Sequence, residues 1–498
     1  MKKIYAALCA MATLFAVSCS TEFVSPVHNS SEPLDEYFNT EARMFESLVA
    51  AYDPLEWFDY FYQYDALHLV SDIMGDDINC GGSNEGDQPI LVKTHFFQLT
   101  QTDQPNQIWT ICYSGVNRAN VVREYLDGVE GLSSSNRDLW EAESLVLRSY
   151  YYCLLWKFWG NIPYYEENLK SPYYADQLGH DEVYEKVIAT LEGVFAKNVL
   201  PMKATVGNEG RVTKAMAYML YAEMVMYQND QSRYQKALDY MKEIITSGQY
   251  ALVSDFAGIW EESGEWGTES IWEINYLSEG GGRAWDAPIA TGGNVFSVLT
   301  GIPGAKAGSG FADGWGFGGV NESTYKMYDD TDIRRDGGIL NWSDNRDNYA
   351  PRWEDTGYFL LKYIARENGN HGYKGADTMN YGNNVRVYRY SETLLNAAEL
   401  AILLGQDGSA WLKQVRDRAH CQATGTSRED IIEERHKEFV GEGKRYWDLV
   451  RSGQAATVLQ AANHPFRPAG SNWTESKKYW PIPQSELDKD DKLQPNNY

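Results

Sequence analysis

The amino-acid sequence predicts an all-α protein, a helical-repeat scaffold interrupted by long irregular loops. Three observations predict it. Apolar residues recur at helical spacing in several long segments between Asn106 and Ser247, and again between Val385 and Gly453, the pattern of amphipathic helices. Two of these segments, Thr213 to Gln228 and Gln231 to Ser247, are joined by only a few residues, which sets neighbouring helices antiparallel. Between the two helical regions lies Ser278 to Val320, with SEGGGRAWDAPIATGGN and GSGFADGWGFGGV inside it. Such a run cannot be a helix core, and it is longer than ordinary loops. No strict 34-residue identity period runs through the helices.

Composition narrows the function classes. The 498 residues are 43% hydrophobic and 23% charged, with 16 Trp and 35 Tyr, as expected of a folded chain. The net charge of −26 argues against nucleic acid, whose binding needs Lys and Arg to displace condensed counterions. It leaves a neutral ligand such as a sugar open.

In chain order, residues 1–18 read as a signal segment. Lys2 and Lys3 precede the apolar run Ile4 to Val17, which is too short to span a bilayer. Its end, LFAVSC, resembles a bacterial lipoprotein signal in which Cys19 becomes the acylated first residue, although Ala16 stands where Leu is more usual. Residues 19–33 are polar and read as a tether, and the body is expected over 34–498. A first helix is expected over Leu34 to Ala50. Trp57 to Tyr64, WFDYFYQY, is either buried core or an exposed aromatic patch. SDIMGDDINCGGSNEGDQP is a long loop; its acids lack the EF-hand order, so no metal is assigned.

Long helices are expected over Asn106 to Leu126 and Asn136 to Trp159, the second capped by a Ser cluster and stopped at Gly160. Asp181 to Asn198 and the antiparallel pair follow, giving a scaffold over about 34–250. Cys80, Cys112, Cys153 and Cys421 show no CxxC spacing, so zinc and thioredoxin-type chemistry lack support. Glu269 to Asn275 reads as a strand. About 255–381 is loop-rich. Helical texture returns over Val385 to Leu404 and Trp411 to Cys421.

Asp430 to Gly453 reads as one long helix, with Ile432, Phe439, Tyr446 and Val450 on one face. Beside them Glu434, Glu438 and Glu442 stack in steps of four and should repel one another. Arg435, Lys437, Lys444, Arg445 and Arg451 on the same helix offer to neutralise them. The column reads as ion pairing that locks helices together; a carboxylate site would want a His at ligand spacing, which is missing. Gly441 and Gly443 imply a close approach or a break. Residues 454–498 form an extended tail, Pro-limited around KKYWPIPQSEL.

If the ligand is a sugar, which offers apolar C–H faces edged by hydroxyls, a site needs flat rings beside short polar groups. Trp266, Trp285, Trp315 and Phe317 sit among glycines that leave ring faces open, and Asn79, Asn84, Asp87, Asp286 and Asp313 can supply polar partners if the loops converge. The bland alternative is that these rings fill the space beneath a long loop. No GxSxG, HExxH or P-loop motif is present, and no cofactor or catalytic residue is assigned.

Several blocks together resemble the SusD/RagB family of outer-membrane nutrient-binding lipoproteins. They are WTICYSGVNRANVV, EAESLVLRSYYYCLLWKFWGNIPYY, GRVTKAMAYMLYAEMVMY, YRYSETLLNAAELA, IIEERHKEFVGEGKRYWDLVRSG and KKYWPIPQSEL, in the family's order. Departures are Lys413, where the family usually has Asn, and the QPNNY ending. The resemblance implies TPR-like helix pairs carrying irregular ligand-binding loops. It also implies an outer-membrane lipid anchor, display at the cell surface, and a SusC-like TonB-dependent transporter as partner. Family members capture oligosaccharides, and some relatives take peptides. The alternatives are a glycoside hydrolase, which needs two carboxylates at a fixed separation, and a peptide-binding helical-repeat surface protein.

Overall fold

A computed structural model describes residues 34–278, 282–367, 377–496 and 498. The signal segment, the tether and Cys19 lie outside the described residues. The helices used below are α1 (Glu41–Tyr52), α2 (Leu67–Ile73), α3 (Pro89–His95), α4 (Asn106–Tyr125), α5 (Ser134–Trp159) and α6 (His180–Lys197). They continue with α7 (Lys214–Gln228), α8 (Tyr234–Thr246), α9 (Tyr390–Leu403), α10 (Ser409–Ala419), α11 (Arg428–Glu438) and α12 (Arg445–Arg451). The strands used below are β1 (Ser270–Ile274), β2 (Ile339–Asn341), β3 (Tyr358–Leu360) and β4 (Val385–Arg389).

Helix limits follow local chemistry. Ser133 Oγ accepts from Asn136 N at 3.1 Å to start α5, and Thr213 Oγ1 accepts from Met216 N at 3.1 Å to start α7. The expected first helix is split, with one turn at Leu34–Tyr37 and a restart at Glu41 behind the Thr40 cap. Consecutive helices from α4 to α8 pack on one another, α8 packs on α9, and α9 packs on α10 and α11. The stack is therefore continuous although the chain leaves it after α8 and returns only at α9.

The excursion is closed by its own first and last strands. β1 pairs antiparallel with β4, Glu273 opposite Arg386 and Ile274 opposite Val385. This corrects the expectation of helix from Val385 onward. VRVYR is buried along its whole length and its β-branched and aromatic residues pair with β1 before α9 begins. β2 and β3 pair farther out, beside a satellite core of Ile302, Tyr349, Phe359 and Ile364. The C-terminal tail lies over α5. Trp480 N donates to Phe158 O at 2.7 Å, Trp159 Nε1 donates to Pro481 O at 3.1 Å, and Ile482 is fully buried.

The segment expected as one helix over Asp430 to Gly453 is two. α11 stops at Glu438 and α12 starts at Arg445, with Gly441 at φ +75° and Gly443 at φ +68° between them. A Cβ on Gly441 would stand 2.3 Å from Leu360 Cδ1, so close approach and break coincide.

The glutamate column is ion-paired, but the cations come from other elements. Glu434 meets Arg334 at 2.6 Å and Arg416 at 2.7 Å. Glu438 meets Arg334 at 3.1 Å, Arg389 at 3.0 Å and Arg418. Glu442 meets Lys362 at 2.5 Å and Arg389 at 2.8 Å. The helix's own Arg435 and Arg451 serve different acids: both hold Asp448, and Arg451 also pairs with Glu399. Burial alone would push Glu438 upward, but Arg418, Arg389 and Arg334 hold it far below the usual carboxylate range.

Candidate binding site

Four rings from three segments meet at one exposed place. Trp285 and Trp315 stack with centroids 5.8 Å apart and planes 25° from parallel. Tyr64 stands edge-on to Trp315 at 5.3 Å and to Trp285 at 6.1 Å, and Tyr60 stands edge-on to Trp285 at 5.5 Å. Edge-to-face and offset contacts are the favourable aromatic geometries, so the group holds its shape. Trp285 remains 40% exposed. Trp315 and Tyr64 are half-buried, and Tyr62 beside them is exposed.

The aromatic run Trp57 to Tyr64 is therefore both core and surface. Trp57 and Phe58, in a 3₁₀ turn from Asp53 to Phe58, are buried. Tyr60 and Tyr64 reach the Trp285 loop. No periodicity in WFDYFYQY separates the two roles, so the run alone does not assign its members to the site.

The loops do converge. Residues 78–82 run antiparallel to 316–320: Asn79 N donates to Gly319 O at 2.8 Å, Gly318 N to Cys80 O at 3.1 Å, and Gly82 N to Gly316 O at 3.0 Å. Arg352 Nη1 donates to Trp315 O at 2.9 Å and Gly81 N donates to Glu354 at 3.2 Å, tying in a third segment. Burial raises Glu354 to about 7. The Asp87 carboxylate accepts from Ser83 N and Oγ at 2.8 and 2.7 Å. Burial, and then the Asp87 charge, raise the Tyr64 hydroxyl above its ordinary value.

The other candidates divide. Asp286 is exposed next to Trp285, and Asn84 is exposed on the Asp87 loop, where it accepts from Gly86 N at 2.9 Å. Asp313 is exposed and accepts from Gly304 N at 2.6 Å. Phe317 is 4% exposed, with its ring against Gly82, so it supports the loop junction from beneath and offers no open face. Asn79 is fully buried in the same junction and donates to Glu354 O at 3.4 Å. Trp266 stands apart from the four rings. Its Nε1 donates to Asn275 Oδ1 at 3.0 Å, and it lines a separate hollow with Lys203, Val206 and Arg211.

Two further features lie away from the rings. A cavity of about 320 Å³ is floored by Leu48, Tyr52, Leu55 and Ile274, with Glu56 and Arg211 at its edge; burial, then Asp53, raises Glu56 to about 7. Among the described residues, one group could bring ligand atoms to a metal: Asp76, Asp77 and His436, within 4.8 Å. It is already ion-paired. His436 Nε2 lies 2.6 Å from Asp77, and Arg445 holds Asp76 at 2.7 Å. Burial lowers His436, but Asp77 and Glu433 together raise it to about 9, which favours a protonated ring that cannot ligate through Nε2.

Comparison with known proteins adds the following. A family model described as "SusD family" matches residues 334–498, and one described as "Starch-binding associating with outer membrane" matches residues 69–226. Surface glycan-binding protein A from Bacteroides thetaiotaomicron is 44% identical, with a TM-score of 0.88 over 93% of this chain and 100% of that one. Its complex with laminarihexaose matches with a TM-score of 0.87 over 92% of this chain and 100% of that one, also at 44% identity. The corresponding protein from Bacteroides uniformis is 41% identical, with a TM-score of 0.85 over 92% of this chain and 100% of that one. Among the described residues, no helix is long and apolar enough to cross a membrane.

Proposed function

The chain belongs to the SusD/RagB family, and on that premise we propose that it captures β-1,3-linked gluco-oligosaccharides at the cell surface and passes them to a SusC-like TonB-dependent transporter. The observation that carries this reading is the ring group of Trp285, Trp315, Tyr60 and Tyr64, exposed at Trp285. An exposed indole offers a flat platform for a pyranose C–H face, with Asp286 next to Trp285 in the chain and Asn84 and Asp87 together on one loop as the polar groups proposed to meet hydroxyls. The relative solved with laminarihexaose supports the choice of glycan. Binding requires no cofactor. Incubation with laminarin tests the reading against a glycoside hydrolase: the expected result is retardation of the protein with no new reducing ends, and release of reducing ends overturns it.

Anchoring rests on Cys19. Several acyl chains on one Cys make a stable anchor, and Cys19→Ala is expected to abolish fatty-acid labelling and release the protein from membranes. A variant that still labels and sediments with membranes contradicts the lipoprotein reading. A tethered binder cannot itself move cargo across a bilayer, so purification in mild detergent is expected to bring down a much larger β-barrel protein. Recovery of the chain alone under every detergent and salt condition counts against a stable complex.

A further inference from the structure

We infer that the buried Arg283–Asp59 pair is the positioning element of the ring group, locking the turn that carries Trp285 against the turn that carries Tyr60. The inference rests on the glycan-platform reading and adds residues that touch no ligand. Trp285 and Asp286 sit at the tip of a tight turn closed by Ala287 N donating to Ala284 O at 2.9 Å. Trp285 is 40% exposed; its ring contacts set its angle to Trp315, Tyr60 and Tyr64, and the stems of its turn set where its backbone stands.

Arg283 holds both stems. Its Nε donates to Pro288 O at 2.9 Å, and Nη1 donates to Gly293 O at 2.8 Å and to Asp59 Oδ2 at 2.9 Å. Nη2 donates to Asp59 Oδ1 at 2.6 Å and to Tyr60 O at 2.7 Å. These contacts use all the donors a guanidinium has. Asp59 in turn accepts from Val295 N at 2.6 Å. The far side is closed by Asn380, which donates to Arg283 O at 3.1 Å and accepts from Gly293 N at 3.1 Å. A Cβ on Gly293 would stand 2.1 Å from the Asn380 backbone, so only Gly passes there.

The arrangement has a consequence for binding. Arg283 and Asp59 are 2% and 3% exposed, so neither reaches a ligand. What they fix is the register between the Trp285 turn and the Tyr60 turn. A ring held in its bound position before the ligand arrives spares the ordering cost of binding. Lys at 283 keeps the charge, but with three donors and no planar fork it cannot reproduce this set.

The test is a double-mutant cycle by calorimetry with laminarihexaose on the parent chain, Arg283→Lys, Trp285→Ala and the double variant. Arg283→Lys is expected to weaken binding about tenfold in the parent background and to add nothing once Trp285 is gone. Near-UV circular dichroism supplies a second readout: the signal from the stacked Trp285–Trp315 pair is expected to weaken in Arg283→Lys while the far-UV spectrum stays. If Arg283→Lys fails to fold, Asp59→Asn, which keeps the shape of the pair, carries the same cycle. Parent-like affinity in the positioning variant alongside a loss in Trp285→Ala overturns the inference and leaves the platform reading standing. So does an equal loss with and without Trp285, which marks a general structural role. Parent-like affinity in Trp285→Ala overturns the platform reading itself.

Discussion

Glu438→Gln is expected to cost about 3–5 kcal/mol of folding stability, the range for breaking a buried ion pair from one side. Gln keeps the shape but leaves Arg334, Arg389 and Arg418 sharing a fully buried neutral group. The exposed pair Lys413–Asp417 is the control: its side chains are 71% and 63% exposed, so Lys413→Ala should change stability by no more than about 1 kcal/mol. Denaturant midpoints of the two variants decide this, and a loss in Glu438→Gln no larger than in the control contradicts the account. The pH dependence has a definite sign. Glu438, Glu442 and Asp448 are all held below their ordinary values by surrounding Arg and Lys, against burial. Their contribution is fully present above the ordinary carboxylate value of 4.5 for Glu and is lost as pH falls through the depressed values. The gap between parent and Glu438→Gln should therefore close in strong acid.

Trp285→Ala is expected to weaken glycan binding about tenfold or more. An aromatic contact contributes about 0.5–1.5 kcal/mol beyond the area it buries, and here the ring is also the exposed member of the stack. Trp315→Ala should weaken binding as well, by removing the ring against which Trp285 stacks. Trp266→Ala should leave affinity unchanged, since that indole is bound to Asn275 in another part of the surface. Calorimetry on the three variants, with circular dichroism to confirm folding, checks all three expectations. Equal affinities for Trp285→Ala and the parent would move the site elsewhere.

Much of the scaffold was legible in the sequence because caps and periodicity are local. Ser133, Thr213 and Gly160 mark helix ends that tertiary contacts do not move. What failed was decided at a distance. Val385 to Arg389 has no local feature that forbids helix; it is a strand because β1 lies beside it. The glutamate column is ion-paired as its spacing among cations implies, but its partners stand on other elements, at Arg334, Lys362, Arg389, Arg416 and Arg418.

The site shows the same division. Tryptophans in a glycine-rich loop point to Trp285 and Trp315. The same pattern also picked out Phe317, which fills space against Gly82, and Trp266, which stands in another hollow. Tyr60 and Tyr64 lie far from the Trp loop in sequence and join it only through tertiary packing. Arg283 and Asp59 carried no local signal, because a buried pair between distant turns has no spacing to read.

The most direct test of the central claim is a calorimetric titration of the full chain bearing Cys19→Ala with laminarihexaose. The account predicts saturable binding at one site, in the micromolar to millimolar range, corresponding to about −4 to −8 kcal/mol, with the hexasaccharide recovered intact afterwards. No saturable heat at millimolar sugar, or recovery of shorter oligosaccharides, would contradict it.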